Sequence, residues 1–203
     1  MEFQAQQQQP ASVMVGQQFC APYQIELTVQ RKRLTFTGGD FTVTDSNKNI
    51  VLKVGGKMMS FHDRRLLQDA AGNPLLTMKQ KTLTMHCRWE AFRGDSSNDK
   101  NFAFTAKKSS VFQLKTALDV FMAGNKDEKV SDFHVKGSYF DRSCTIYQGG
   151  RILAEMRRKY TVKNVLLGKD TFAVIVQPGV DYAFVIALII ILDEINKEGT
   201  QQD

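Results

Sequence analysis

Cysteine and proline are scarce in this chain, which has three cysteines and four prolines among its 203 residues. Cys20, Cys87 and Cys144 are widely spaced and form no C-x-x-C pair, so the sequence predicts neither a disulfide framework nor a zinc site. The chain has no N-x-S/T sequon, and its opening residues, MEFQAQQQQP, lack the basic start and apolar core of a signal peptide. These absences predict an intracellular protein, cytoplasmic with a peripheral membrane or nuclear pool.

Long hydrophobic runs are also missing. The most apolar stretch, Tyr182–Leu192, would span about 16 Å as a helix, whereas crossing a bilayer takes about 20 apolar residues. Asp181 precedes this stretch and Asp193 and Glu194 follow it, and carboxylates are poor membrane anchors. We therefore expect no transmembrane span. We expect a helix at about 181–197 that is apolar on every side and buried on every side, which a sheet closed around it would achieve.

The low proline content leaves no long linker, so the sequence predicts one domain. Residues 1–18 are rich in glutamine and low in complexity, which predicts a disordered tail. The single domain is expected over 19–198, followed by a short tail at 199–203. Within the domain, about a dozen segments alternate apolar and polar residues, as half-buried strands do.

Short turn signals between these segments predict antiparallel hairpins. DSNKN (45–49) and DAAGN (69–73) each separate two such segments. TLTMHCRWEAF (82–92) is predicted as a strand that places Cys87 in the core. FQLKTALDVFM (112–122) fits either a helix face or a strand, and its alternation favours a strand. The predicted fold is mainly β: a closed antiparallel barrel of about twelve strands around a buried hydrophobic C-terminal helix.

Positive charge exceeds negative charge, with a formal net charge of +6 and a pI near 9.2. This balance favours acidic partners, either anionic lipid or nucleic acid. Two compact basic clusters provide the candidate lipid-binding residues, although short clusters of this kind are usually solvated faces. They are Arg31, Lys32, Arg33, Arg157, Arg158 and Lys159.

Arg158 stands out because the alternation in RILAEMRRKYTV puts it on the apolar face with Met156 and Tyr160. A buried, unpaired guanidinium would cost several kcal/mol. Three arrangements would avoid that cost: pairing with an internal carboxylate, a position at the mouth of the barrel, or a bulge that shifts the register. An anion-binding role for Arg158 is the functional alternative.

The segment that begins at Asp45 matches the start of a calcium-binding loop, with Asn47 and Asn49 at the third and fifth positions. Ile50 and Gly56 then occupy positions that need a glycine and a bidentate carboxylate, so the sequence predicts a hairpin turn. The sequence offers neither a nucleophile–base pair nor a phosphate-binding glycine motif. We expect a protein without catalytic residues, metal or cofactor.

Several stretches, in this order, resemble the plant LURP-one-related family: RWEAFRG, FQLKTALDVFMA, AEMRRK and KDTFAVIVQPGVDYAFVIALIIILDEI. The similarity covers about residues 19–196 and implies a relationship to tubby C-terminal domains and phospholipid scramblases. The fold it implies is a closed antiparallel barrel around a hydrophobic C-terminal helix. The chain lacks the Pro-rich region, Cys-rich cluster and calcium segment of the scramblases, which argues against scrambling.

The resemblance also implies a function. Tubby domains bind phosphoinositide head groups through basic residues and are linked to transcription, and the founding plant member of the family is linked to defence. We therefore expect a non-enzymatic monomer that contacts anionic membrane lipid, such as phosphoinositide, in plant defence-type signalling. Binding of nucleic acid or of a protein partner in transcription is the alternative, because the same positive charge would serve it.

Overall fold

The structure, a computed structural model, describes residues 13–31, 41–55, 64–81, 87–109, 116–138, 141–158 and 171–200. The side chains of Thr116, Arg158 and 197–200 lie outside this description. In the described ranges the chain forms twelve strands followed by one α-helix. The strands are β1 Ile25–Arg31, β2 Phe41–Thr44, β3 Ile50–Gly55, β4 Arg64–Asp69, β5 Pro74–Gln80, β6 Trp89–Arg93, β7 Phe102–Lys108, β8 Thr116–Met122, β9 Phe133–Ser138, β10 Ser143–Gln148, β11 Arg151–Arg158 and β12 Thr171–Val176, and the helix is α1 Tyr182–Thr200.

The strands form a closed antiparallel barrel. Each strand pairs with its neighbours in sequence, and β12 pairs with β1 to complete the circle. In the closing pair, Leu27 lies opposite Val174 and Val29 lies opposite Phe172. Closure removes the two sheet edges, which would otherwise expose unpaired backbone groups. The predicted fold class is confirmed.

The central helix α1 is enclosed on every side. Each residue over 183–192 is at most 2% exposed. The Phe184 ring packs edge-on against Phe104 of β7 and Phe133 of β9, with centroid distances of 5.2 and 4.9 Å. Burial of apolar surface around the whole helix is the main favourable term in folding such a domain, and the prediction of an enclosed helix is confirmed. In the part of the chain that the structure describes, no helix combines the length and apolar character that a membrane crossing requires.

The two ends of the barrel differ chemically, and we name them by the direction of α1. At the capped end, where α1 begins, Asp181 is buried and its carboxylate accepts five backbone hydrogen bonds. Oδ1 accepts from the backbone N–H groups of Ala183 and Phe184, which is an N-cap arrangement. Oδ2 accepts from the three N–H groups of residues 14–16 at 2.6–3.1 Å. At the helix-exit end, α1 finishes together with β1, β7 and β11.

The disordered tail predicted over 1–18 is too long. Residues 1–12 lie outside the described ranges, but Met14, inside the predicted tail, belongs to the core at 6% exposure, beside Phe19, the first residue of the predicted domain, at 5%. The Phe19 ring packs edge-on against Tyr182, with centroids 5.4 Å apart. Glutamine-rich composition suggested disorder, but the segment is anchored largely through its backbone N–H groups, which every non-proline residue carries.

The strand predicted over 82–92 is confirmed over its last four residues and interrupted at residues 87–88. It begins at Trp89, and residues 82–86 lie outside the described ranges. Cys87 precedes the strand, has a φ of 45° and is partly buried against the core. A positive φ interrupts strand alternation, so Cys87 reaches the core from a loop and not from a strand.

Two further boundaries complete the comparison. FQLKTALDVFM contains the strand β8, as its alternation predicted, and residues 112–115 lie outside the described ranges. α1 extends to Thr200, so it includes the first residues of the tail predicted at 199–203.

Candidate anion-binding site at the helix-exit end

Basic residues occupy inward positions on three strands at the helix-exit end: Arg31 of β1, Arg65 of β4 and Lys108 of β7. Successive side chains of a strand point to opposite faces, so each of them continues an inward row of apolar residues. The register agrees, because Arg31 lies opposite buried Phe41 and Lys108 lies opposite buried Leu118. A cation that faces the interior needs compensation, and α1 supplies it to Arg31 and Arg65.

Asp193 and Glu194 of α1 are the compensating carboxylates, at 1% and 6% exposure. Arg65 meets Glu194 as a fork, with Nε 3.0 Å from Oε1 and Nη2 donating to Oε2 at 3.0 Å. Both of these side chains are more than nine-tenths buried, so the pair is almost fully shielded from solvent, where breaking an ion pair is costly. Arg31 is held more loosely, with Nη1 3.7 Å from Asp193 Oδ1 and 29% of its side chain exposed.

A fourth basic side chain, Arg142, is buried in the turn before β10. Its guanidinium lies over the ring of Phe172, 4.7 Å from the centroid, which is cation–π geometry. Burial raises the pKa of the Cys144 thiol to about 12, against the opposing effect of the Arg142 charge. The thiol is therefore protonated at neutral pH and is a poor nucleophile. Arg142 adds positive charge to this end without activating Cys144.

Of the six predicted lipid-binding residues, Arg31 and Arg157 have described side chains. Arg157 lies on the outer face of β11, is 60% exposed and donates to Glu155 at 2.6 Å. The remaining predicted positions, Lys32, Arg33, the Arg158 side chain and Lys159, lie outside the described residues.

The described members of the two predicted clusters are far apart in sequence and close in the fold. β1 and β11 both pair with β12, where Gln30 lies opposite Thr171 and Arg157 lies opposite Ala173. Neighbouring strands are about 4.8 Å apart, so Arg31 and Arg157 flank the start of β12 at the helix-exit end. The backbone of Arg158 pairs with Phe172 without a register shift, so the bulge alternative for Arg158 does not apply to this pairing.

Sequence reasoning did not point to Arg65, Lys108 or Arg142. The alternation that singled out Arg158 would also have singled out Arg65 and Lys108, because each lies two residues from a buried inward residue. Arg142 has no such signal, since it sits in a turn with a φ of 53°. The contact of Arg65 with Glu194 spans 129 residues, and no local pattern carries a pairing of that separation.

Metal ligands do not gather in the described ranges, where His, Cys, Asp and Glu form no group of three able to hold a metal ion. The carboxylate of Asp45 instead accepts the N–H and Nδ2 of Asn49 at 2.8 and 3.1 Å, within the predicted β2–β3 hairpin turn. His134 Nδ1 lies 2.5 Å from Asp119 Oδ1 on the neighbouring strand. All three cysteines are free thiols. The basic side chains at the helix-exit end can offer attraction and hydrogen bonding to an anion.

A closed twelve-stranded antiparallel barrel filled by an axial helix assigns the protein to the tubby-like barrels. A crystal structure of an Arabidopsis thaliana protein shares this architecture, with a TM-score of 0.72 and 40% sequence identity, covering 91% of this chain and 98% of that one. Within this class the chain belongs to the LURP-one-related family, which matches residues 25–193.

Similar proteins are found in Arabidopsis thaliana. Protein LURP-one-related 15 is 47% identical over 94% of this chain and 88% of its own length, and Protein LURP-one-related 10 is 46% identical over 93% and 98%. Protein LURP1 is 42% identical over 95% of this chain and 93% of its own length. The family resemblance drawn from the sequence is confirmed.

Proposed function

We propose that this protein is a non-enzymatic binding protein that contacts anionic membrane lipid, of the phosphoinositide class, through its helix-exit end. The observation that carries the proposal is that Arg31 and Arg157, from the two separate basic clusters, lie at one end of the barrel. The setting we propose is plant defence-type signalling, in a cytoplasmic monomer with a peripheral membrane or nuclear pool, as the family resemblance implied.

The charges at this end suit reversible contact with a membrane surface. Arg157 is exposed and Arg31 is partly exposed, so both can approach a head group without unfolding of the barrel. Each Lys or Arg near an anionic surface contributes about 1 kcal/mol of attraction. A few such residues give an affinity in the roughly micromolar to millimolar range, which weakens as salt screens the charges.

Sedimentation with vesicles tests the proposal. We expect the protein to bind phosphatidylcholine vesicles that contain phosphatidylinositol 4-phosphate and to ignore vesicles of phosphatidylcholine alone. Arg157→Glu should weaken binding roughly 30-fold, because it removes one attractive charge and adds a repulsive one. Lys48→Glu is the matched control, since it makes the same charge change on an exposed residue of a turn at the capped end. Equal losses in both variants would mean that net charge, and not the helix-exit end, drives binding.

Nucleic acid remains the alternative ligand, because the net charge of +6 would attract it as well. The logarithm of the affinity for any duplex would then fall steeply and linearly with the logarithm of the salt concentration. If the protein binds duplex in this way and does not bind any anionic vesicle, nucleic acid is favoured over lipid as the ligand.

A further inference from the structure

Arg31 and Arg65 face adjacent carboxylates of the same helix but are held differently. Arg65 is more than nine-tenths buried and directs two guanidinium nitrogens at Glu194, each 3.0 Å from a carboxylate oxygen. Its fork is committed to the fold, because a bidentate pair uses the face that would bind another anion.

Arg31 is not committed in this way. Its 3.7 Å separation from Asp193 exceeds the 2.7–3.2 Å range of a hydrogen bond, so the contact is electrostatic only. The Arg31 side chain is 29% exposed while that of Asp193 is 1% exposed, so solvent reaches Arg31 and hardly reaches Asp193. An anion that arrives from solvent therefore meets Arg31 first, with Asp193 behind it.

We infer that Arg31 is the phosphate-binding residue of the helix-exit end, and that Asp193 competes with the anion for Arg31 and so lowers its affinity. The inference rests on the proposed function and deepens it by naming the ligand chemistry, a phosphomonoester. A planar guanidinium fork matches two phosphate oxygens, which a lysine ammonium does not.

The charge of the ligand decides between a phosphomonoester and a phosphodiester. Because Asp193 lies behind Arg31, its charge offsets part of the attraction that Arg31 exerts on an anion at the exposed side. That attraction grows in proportion to ligand charge. A phosphomonoester carries about −1.5 to −2 at neutral pH and a phosphodiester carries only one negative charge. Asp193 thus keeps singly charged phosphates below a useful affinity.

Four proteins test the inference on vesicles of phosphatidylcholine with phosphatidylinositol 4-phosphate: wild type, Asp193→Asn, Arg31→Gln and the double variant. We expect Asp193→Asn to bind about fivefold tighter than wild type, which is the effect of one nearby charge. Arg31→Gln should bind about fivefold weaker. The double variant leaves no uncompensated buried charge at this pair, so it preserves the test if Arg31→Gln does not fold. By the same figures it should bind about as tightly as wild type and about fivefold more weakly than Asp193→Asn.

Lys48→Gln is the control for a general loss of positive charge, and its affinity should equal that of wild type. Soluble inositol 1,4-bisphosphate should compete with the vesicles if the phosphate itself is recognised. If inositol 1,4-bisphosphate does not compete, the protein binds the vesicles through their overall negative surface potential, and the inference is overturned. Inorganic phosphate that competes equally well would identify a free-phosphate site in place of a lipid site.

Two outcomes separate the inference from the proposed function. If the wild type binds the vesicles but Asp193→Asn does not tighten binding, or the double variant binds as tightly as Asp193→Asn, then Arg31 does not hold the phosphate. In that case lipid contact through Arg157 still stands. If the wild type ignores all anionic vesicles, the proposed function fails and the inference fails with it. Vesicles with phosphatidylinositol, a phosphodiester, should bind Asp193→Asn measurably and wild type hardly at all.

Discussion

Asp45 and Asp69 close their hairpins in the same way. Each carboxylate accepts the backbone N–H of the asparagine four residues later at 2.8 Å, and also its side-chain amide. The fourth residue of each turn has a positive φ, of 68° at Lys48 and 95° at Gly72. Glycine adopts this conformation without the steric penalty that a Cβ brings. The two turns therefore allow a comparison of a lysine and a glycine in the same strained backbone conformation.

Exchanging the residue types should change stability in opposite directions. Lys48→Gly should raise the free energy of unfolding by about 0.5–1 kcal/mol, because relief of strain exceeds the added chain entropy. Gly72→Ala should lower it by about 1 kcal/mol. No heavy atom lies within 4 Å of a Cβ built at Gly72, so its loss would come from the backbone alone. Urea unfolding measures both, and a destabilised Lys48→Gly would show that the lysine makes a contact worth more than the strain.

At the scale of elements, the connection between β8 and β9 is pinned to the outside of the barrel. Its Glu128 accepts two hydrogen bonds from Arg88, each 2.6 Å, and one from Lys107 of β7 at 2.8 Å. Lys107 also lies over the Phe121 ring, 4.5 Å from its centroid. The hydrogen bonds from Arg88, followed by those from Lys107, lower the pKa of Glu128 to about 2, although partial burial acts in the opposite direction.

This connection should make stability depend on pH in acid. The folded pKa of Glu128 lies below its ordinary value of 4.5, so the ionised form contributes stability that is complete above about pH 5. That contribution is lost as pH falls from about 4.5 towards 2. Glu128→Gln should therefore be less stable than wild type by about 1 kcal/mol at neutral pH, after allowance for solvent screening. Urea unfolding measured at a series of pH values from 7 to 2 should show that the difference in free energy of unfolding between the two proteins shrinks. A constant difference would contradict the lowered pKa of Glu128.

The enclosure of α1 predicts that substitution by aspartate has very different effects at two isoleucines. Ile189 is 2% exposed inside the barrel, whereas Ile152 on β11 is 41% exposed. Ile189→Asp should abolish soluble expression, because an unpaired buried carboxylate costs several kcal/mol against a total stability of about 5–15 kcal/mol. Ile152→Asp, the same substitution, should remain soluble with a nearly unchanged melting temperature. Soluble, folded Ile189→Asp would contradict the enclosure.

The sequence predicted those elements whose causes are local. The hairpins at Asp45 and Asp69 carry their turn chemistry in consecutive residues, and α1 was visible because no residue of its central run is polar. The pairing of Arg65 with Glu194 and the binding of residues 14–16 to Asp181 could not be predicted, since they join segments more than a hundred residues apart. Basic clusters in the sequence predicted Arg31 and Arg157 of the candidate site, but not that β1 and β11 lie on either side of β12, which brings these two residues to one end of the barrel.

At the scale of the whole molecule, Asp181 joins the first described residues to the last element. Loss of residues 14–16 would leave Asp181 Oδ2 buried without its three donors and would also remove the buried Met14 side chain. A chain that lacks residues 1–18 should therefore be less stable than a chain that lacks 1–12, by about 3 kcal/mol or more. The melting temperature should fall by about 6–12 °C between the two. Equal melting temperatures would show that another donor set replaces residues 14–16.

Because α1 follows the strands in the sequence, the order of synthesis bears on how the barrel closes. All twelve strands leave the ribosome before the helix that fills the barrel. A helix with its side chains is about 10–12 Å across, so the sheet must remain open along one seam when α1 enters. That seam is β1–β12, which is, among the described strands, the one pair whose partners are not neighbours in sequence. Nascent chains that stop at Gly179 should be cleaved rapidly by added protease, whereas complete chains should resist. Equal resistance would show that the barrel closes without its helix.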